Sequence, residues 1–286
     1  MSIKALARAK INLTLEVLGK RPDGYHEVEM VMQSIELHDI LEFSPTHGGI
    51  ALTVEGGGLP SGEQNLVYRA AEVLRSYAGI RQGVSIHLKK YIPVAAGLAG
   101  GSADAAATLI ALNKMWEAGL SLSDLMKLGE QLGSDIPFCL LGGTALARGR
   151  GERVERLPAC PSLGVILVKP PFGLSTAQVY QSFKQELNIN KPDHLGLVSA
   201  IELNDLTAIC SHLVNMLEPV AIKLHPAIAA IKEKLLQAGA MGVLMSGSGP
   251  TVYGLTPDLD KAHAVAARYY RHNEQVFVTN ILNTNA

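Results

Sequence analysis

The chain has 286 residues, 48% of them hydrophobic and 18% charged, with a formal net charge of -1. That balance excludes wholesale disorder and allows a large buried core, and the length alone suggests about two domains. A nearly neutral chain has no global field to draw it to nucleic acid or an anionic membrane, so an anionic ligand must be held by local groups.

The three cysteines, Cys139, Cys160 and Cys210, are far apart and match no metal-ligand spacing. They read as reduced, mostly structural residues. Lys4, Arg8 and Lys10 interrupt the apolar residues at the start, and no apolar run approaches the ~20 residues a bilayer span needs. The expected location is the cytoplasm, with no membrane or nucleic-acid partner.

Ala7, Ala9, Ile11, Leu13, Leu15 and Val17 alternate with more polar neighbours, which predicts strand over residues 3–17. A turn at Gly19, Pro22, Asp23 and Gly24 follows, then strand-like runs over 27–37, 39–44 and 50–55. Asn65 is placed to cap a helix whose stripe is Leu66, Ala70, Val73, Leu74 and Tyr77. A short strand over 84–89 leads into a glycine-rich segment. Behind it, Ala105, Leu109, Leu112 and Trp116 share one face of a helix. Leu125, Leu128 and Leu132 predict a helix over 122–132 that stops at Gly133.

Strands are expected again over 144–148, 153–157 and 164–169. Past Pro158 helices alternate with short strands. Pro226 opens a helix with the stripe Ile228, Ile231 and Leu235, and strands over 242–245, 251–255 and 275–279 surround a helix near 258–271. The change of pattern sets a boundary near 158–162, giving an N-terminal unit over 1–158 and a C-terminal unit over 159–286. The fold class is α+β.

The segment Pro93-Val94-Ala95-Ala96-Gly97-Leu98-Ala99-Gly100-Gly101-Ser102-Ala103 is the strongest local signal. Small residues let the backbone approach a ligand, its amides converge, and the following helix adds its positive N-terminal end. That suits a polyphosphate, with Ser102 offering a hydroxyl. A packing loop with Ser102 as a helix cap is the plainer alternative. No Lys-Ser or Lys-Thr follows the last glycine, so this is not a P-loop, and the spacing is wrong for a dinucleotide fingerprint.

Ala9-Lys10-Ile11-Asn12-Leu13-Thr14-Leu15, the loop at 93–105, and Met245-Ser246-Gly247-Ser248-Gly249-Pro250-Thr251 together resemble the three motifs of the GHMP kinases. Three further segments are similar to the branch acting on a cytidyl diphosphate alcohol. These are Arg21-Pro22-Asp23-Gly24-Tyr25-His26, Gly133-Ser134-Asp135-Ile136-Pro137-Phe138, and Ser175-Thr176 followed by Tyr180. Ala96 and Ala99 stand where the family's loop often carries glycine. Backbone access is expected to survive both.

The resemblance implies a two-domain GHMP kinase fold. Its N-terminal half is ribosomal protein S5 domain 2-like, with a left-handed βαβ crossover, and its C-terminal half is ferredoxin-like. It implies a small-molecule kinase, monomer or weak homodimer, that uses ATP, with Mg²⁺ following from ATP and no protein ligand assigned. Carried over by position, Asp135 is the general base and Lys10 its partner. A lysine beside a carboxylate favours its charged form and stabilises charge on a transferring phosphoryl group. Tyr25 and Tyr180 would sandwich the cytosine, His26 would hydrogen-bond its edge, and Asn12 and Thr176 would hold the rest of the acceptor. Asn65 and Leu66 would lie near adenine, and residues 246–251 would form a second wall near the substrate phosphates.

Read singly, several of these residues have plainer roles. Asp135 is a turn or N-cap residue, Lys10 is a solvated strand charge, and Lys90, placed just before the loop to add charge there, reads at least as well as an ordinary surface lysine. Other small-alcohol kinases, an ATP-consuming decarboxylase of the same fold and a non-catalytic nucleotide-binding module are the rival functions.

Overall fold

The computed structural model describes residues 2–183, 190–270 and 272–283. Alternating apolar residues form β1 (Ile3–Asn12) and β2 (Thr14–Lys20), followed by the long β3 (His26–Thr46) and β4 (Ile50–Glu55). Two strands were expected where β3 runs unbroken for 21 residues. β1 pairs straight across His38 and Asp39, and β3 stays extended as its partners change along its length. One edge pairs with β2 and then β1. The other pairs with β6 (Thr144–Gly149) and then β5 (Gly83–Lys89).

Between β4 and β5 lies α1 (Leu66–Tyr77), capped by Asn65, whose side chain accepts from Val67 N–H. β4 and β5 are parallel, as a helix-connected βαβ unit requires. Next come α2 (Gly100–Met115), α3 (Leu122–Glu130), α4 (Ile136–Leu141) and, after β6, β7 (Arg153–Arg156). α2 buries Ala103, Ala105, Ala106, Ala107, Leu109 and Leu112. Its alanines let it lie close to β1 and β3. The helix expected to stop at Gly133 ends earlier, with Gln131 at its cap, and Gly133 is not left-handed. The turn carrying Asp135 begins there instead.

The second half runs β8 (Gly164–Lys169), α5 (Thr176–Ser182), α6 (His194–Glu202), α7 (Leu206–Ser211), β9 (Val214–Asn215), α8 (Glu218–Leu224) and α9 (Ala227–Ala238). It closes with β10 (Gly242–Met245), β11 (Val252–Thr256), α10 (Leu259–Arg268) and β12 (Gln275–Asn280). The helix expected to reach residue 271 thus ends at Arg268, and residue 271 itself lies outside the described residues. Strands β8, β10, β11 and β12 make an antiparallel sheet in the order β10-β11-β8-β12. This is the ferredoxin-like order.

The halves interlock. β9 pairs in parallel with β2, joining the first sheet from the second half. Tyr253 in β11 is fully buried and donates its hydroxyl to Asn12 O at 2.9 Å.

Candidate active site

A cavity of about 1020 Å³ opens between the glycine-rich loop, the end of β1, the α4 turn and α5. The loop contributes Pro93 through Ser102 to its wall. Ala103 does not line it and is buried in the core instead, because α2 has already begun at Gly100. The helix cap is Ala99, so Ser102 lies inside the first turn and is not the cap. Ser102 lines the cavity.

Two features hold the loop. Lys10 N–H donates to Leu98 O at 3.2 Å, tying it to β1. Gly97, at φ +77°, packs against the second glycine-rich turn, where Ser246 Oγ donates to Gly97 O at 2.9 Å. Ala95 and Ala99 adopt φ of 52° and 55° without being glycine. Left-handed backbone costs an alanine about 1–2 kcal/mol each, and such strain collects where a loop is shaped for a ligand.

Lys90, open to reading as a charge beside the loop or as a surface lysine, is buried: its side chain is only 3% exposed. Its Nζ donates to Asp39 Oδ2 at 2.5 Å and to Asp104 Oδ2 at 2.6 Å. Asp39 also accepts the N–H groups of Tyr91 and Ile92, so it pins the chain entering the loop. Asp104 has one oxygen with no hydrogen-bond partner. One ammonium cannot balance two buried carboxylates. Burial foremost, and then the charge of Asp39, push the Asp104 carboxyl up to about 8 against the pull of Lys90.

The consequence for stability has a definite sign. Between the ordinary carboxyl value of 3.8 and about 8, the folded chain holds a proton on Asp104 that the unfolded chain has released. Stability therefore falls as pH rises through that window. Asp104→Asn keeps the shape without the titration. We expect its thermal midpoint to decline less than the wild type's between about pH 6 and pH 9, measured by calorimetry. An equal decline would show that the proton is not held at Asp104.

Lys10, 4% exposed, projects from β1 towards Asp135 at the head of α4, with Nζ and Oδ2 3.6 Å apart. Asp135 occupies the cap position of α4 but makes no capping bond, so its carboxylate is free to face the cavity. Asn12 Oδ1 accepts from Lys10 Nζ at 2.7 Å and Asn12 Nδ2 contacts Met30 Sδ at 3.2 Å. Asn12 was expected to hold the acceptor; here it lines the cavity while its amide oxygen holds the lysine. A carboxylate fixed beside a buried ammonium can take a hydroxyl proton while the cation offsets charge on a phosphoryl group.

At the far end, Tyr25, His26 and Tyr180 line the same cavity. The His26 and Tyr180 rings lie 5.1 Å apart at 32°. Burial, and then Lys20, lower the His26 pKa, favouring the neutral ring with one donor and one acceptor. Burial, and then Asp135, raise that of Tyr180, keeping its phenol protonated. Thr176 meets Ser248 through its hydroxyl at 2.9 Å, joining α5 to the second glycine-rich turn. Leu66 lines the cavity. Asn65 does not, because its amide caps α1 and donates to Pro60 O at 2.8 Å. Lys20, Arg150 and Gln181 also face the cavity and carried no sequence motif, and Ser134 faces it from the Gly133–Phe138 segment.

The geometry has counterparts among known proteins. Residues 65–143 match the model of the GHMP kinases N terminal domain, and residues 197–275 match GHMP kinases C terminal. The 4-diphosphocytidyl-2-C-methyl-D-erythritol kinase of Pelotomaculum thermopropionicum is 66% identical over 284 residues, covering 99% of each chain. The chain belongs to the 4-diphosphocytidyl-2-C-methyl-D-erythritol kinase family of GHMP kinases. The enzyme of the same name from Geobacillus thermodenitrificans is 49% identical, over 99% of this kinase and 98% of that one. A crystal structure of a 4-(cytidine 5'-diphospho)-2C-methyl-D-erythritol kinase aligns with a TM-score of 0.85 at 34% identity. It covers 98% of this kinase and 99% of that chain. The kinase has the two-part α+β GHMP fold, and GHMP kinases use ATP as phosphoryl donor. Among the described residues no helix is long and apolar enough to cross a membrane.

Proposed function

We propose that this kinase transfers the γ-phosphoryl group of ATP to the 2-hydroxyl of 4-diphosphocytidyl-2-C-methyl-D-erythritol, in non-mevalonate isoprenoid precursor biosynthesis. The observation that carries the reading is the Lys10–Asp135 pair, 3.6 Å apart, in one cavity with the glycine-rich loop and with Tyr25, His26 and Tyr180. Asp135 accepts the hydroxyl proton. Lys10, fixed by Asn12, offsets the charge of the transferring group. The loop amides and the N-terminal end of α2 hold the polyphosphate. The neutral His26 presents a donor and an acceptor to the cytosine edge, and the aromatic rings stack on its faces.

Among the described residues no cluster of three His, Cys, Asp or Glu side chains could hold a metal. Mg²⁺ typically keeps waters and takes its oxygens from phosphates with one or two protein groups. Ser102, which lines the cavity beside the loop, could supply one such group while Asp135 stays clear for the proton, and the bound ion would neutralise phosphate charge. We divide the chain at 158/159, because every strand of the second sheet lies after it, although β9 crosses back. A monomer or weak homodimer in the cytoplasm suits a small-molecule enzyme with no membrane-spanning helix among its described residues.

The test is turnover with ATP of the cytidyl alcohol set against mevalonate, homoserine and galactose, with product mass and CO₂ release followed. The cytidyl alcohol is expected to lead in kcat/KM by on the order of 10⁴-fold, as hydrogen-bonded recognition permits. Preference for another alcohol, or release of CO₂, would overturn the assignment.

A further inference from the structure

An acceptor bearing a diphosphate brings negative charge into a cavity that already faces ATP. Four lysine or arginine residues line that cavity: Lys10, Lys20, Lys90 and Arg150. Two are engaged by protein carboxylates, Lys10 by Asp135 and Lys90 by Asp39 and Asp104. Lys20 and Arg150 are the other two; Arg150 has carboxylates within ion-pair distance but hydrogen-bonds to neither.

Arg150 sits between Gly149 and Gly151 in the turn joining β6 to β7, where its backbone N–H donates to Glu152 Oε2 at 2.6 Å. Its guanidinium carbon lies 5.2 Å from the centre of the Tyr25 ring. The carboxylates of Glu130 and Glu152 come no nearer to it than 3.6 and 3.9 Å, beyond hydrogen-bonding distance. Among the described residues the guanidinium makes no hydrogen bond, although its side chain is only 27% exposed. A planar fork of five donors on a cavity wall suits a phosphate oxygen pair. Lys20 stands opposite His26 in the β2–β3 register and makes no ion pair among the described residues. These two cations flank the Tyr25–His26 segment.

We propose that Arg150, assisted by Lys20, is a further substrate-binding residue that takes the diphosphate of the acceptor. This rests on the cytidyl diphosphate alcohol being that acceptor.

The experiment compares wild type, Arg150→Ala, Arg150→Lys and Lys20→Ala in turnover and in calorimetric binding of CDP and of cytidine. Arg150→Ala should raise KM for the cytidyl alcohol about 10–100-fold, while kcat and KM for ATP change less than about threefold. Its affinity for CDP should fall by a similar factor while that for cytidine holds. Arg150→Lys should recover part of the loss, since it keeps the charge without the fork, and Lys20→Ala should show a smaller effect of the same kind. Equal losses for CDP and cytidine would mean that Arg150 acts only through Tyr25, and would overturn the proposal. So would unchanged KM and CDP affinity in an Arg150→Ala enzyme whose wild type turns over the cytidyl alcohol. If the wild type itself rejects that alcohol, the acceptor assignment fails and takes this proposal with it.

Discussion

Asp135→Ala is expected to lower kcat by about 10²–10⁴-fold while the Kd for ATP shifts less than about threefold. The carboxylate stands 3.6 Å from Lys10 Nζ and caps nothing, so removing it deprives the acceptor hydroxyl of its base without unravelling α4. The loop that would hold ATP is formed by other residues. Alanine does leave Lys10 buried beside an empty position, which is itself costly. Asp135→Asn keeps the volume and a polar oxygen near Lys10, and should lose comparable activity with a thermal midpoint closer to wild type. A kcat within about tenfold of wild type for both variants would remove the general-base role. Calorimetric ATP titration alongside single-turnover kinetics separates binding from chemistry.

Gly97→Ala should be the most damaging change in the loop, costing about 2–4 kcal/mol of stability and raising KM for ATP at least about tenfold. Gly97 holds φ +77°, and an added methyl would run into Ser246 O, with Gly249 O and N only 3.1 and 3.2 Å away. All three obstacles are backbone atoms of the second glycine-rich turn, so no side chain can swing aside. The two turns would have to separate, breaking the Ser246–Gly97 bond. Gly101→Ala is the contrast, since its methyl would meet only Leu66 Cδ1 at 3.5 Å. Its stability should match or slightly exceed wild type, because alanine favours a helix. Urea melts of the pair check this, and equal stabilities would show that the turns are not tightly latched.

What the sequence made readable follows from how local each signal is. The α2 stripe, the Asn65 cap and the Ile228–Ile231–Leu235 face depend on spacing along one helix, and all three are present. The loop and the Lys10 and Asp135 segments could be singled out because their residue types stand in motifs. Long-range partners could not. Nothing near Lys90 or Asp104 announces Asp39, which lies far earlier in the chain and meets them only after β3 pairs with β5. The unity of β3 is equally non-local, since its halves are held by different neighbours. Arg150 and Lys20 were missed because isolated basic residues are usually solvated; only the cavity marks them out.

The two-residue strand β9 bears on how the polypeptide is made. Val214 and Asn215 fill a place beside Thr14 and Leu15, and Asn215 Nδ2 donates to Met245 O and Gly247 O at 2.8 and 2.7 Å. Translation delivers about 5–20 residues per second, N-terminus first, so the opening segment waits about 10–40 seconds on the ribosome with that edge uncovered. The cavity wall is finished later still, once Gly247 and Ser248 emerge. Half-made chains of this enzyme are therefore the species that most need chaperone shelter, and a nascent chain halted before residue 214 should not yet grip ATP.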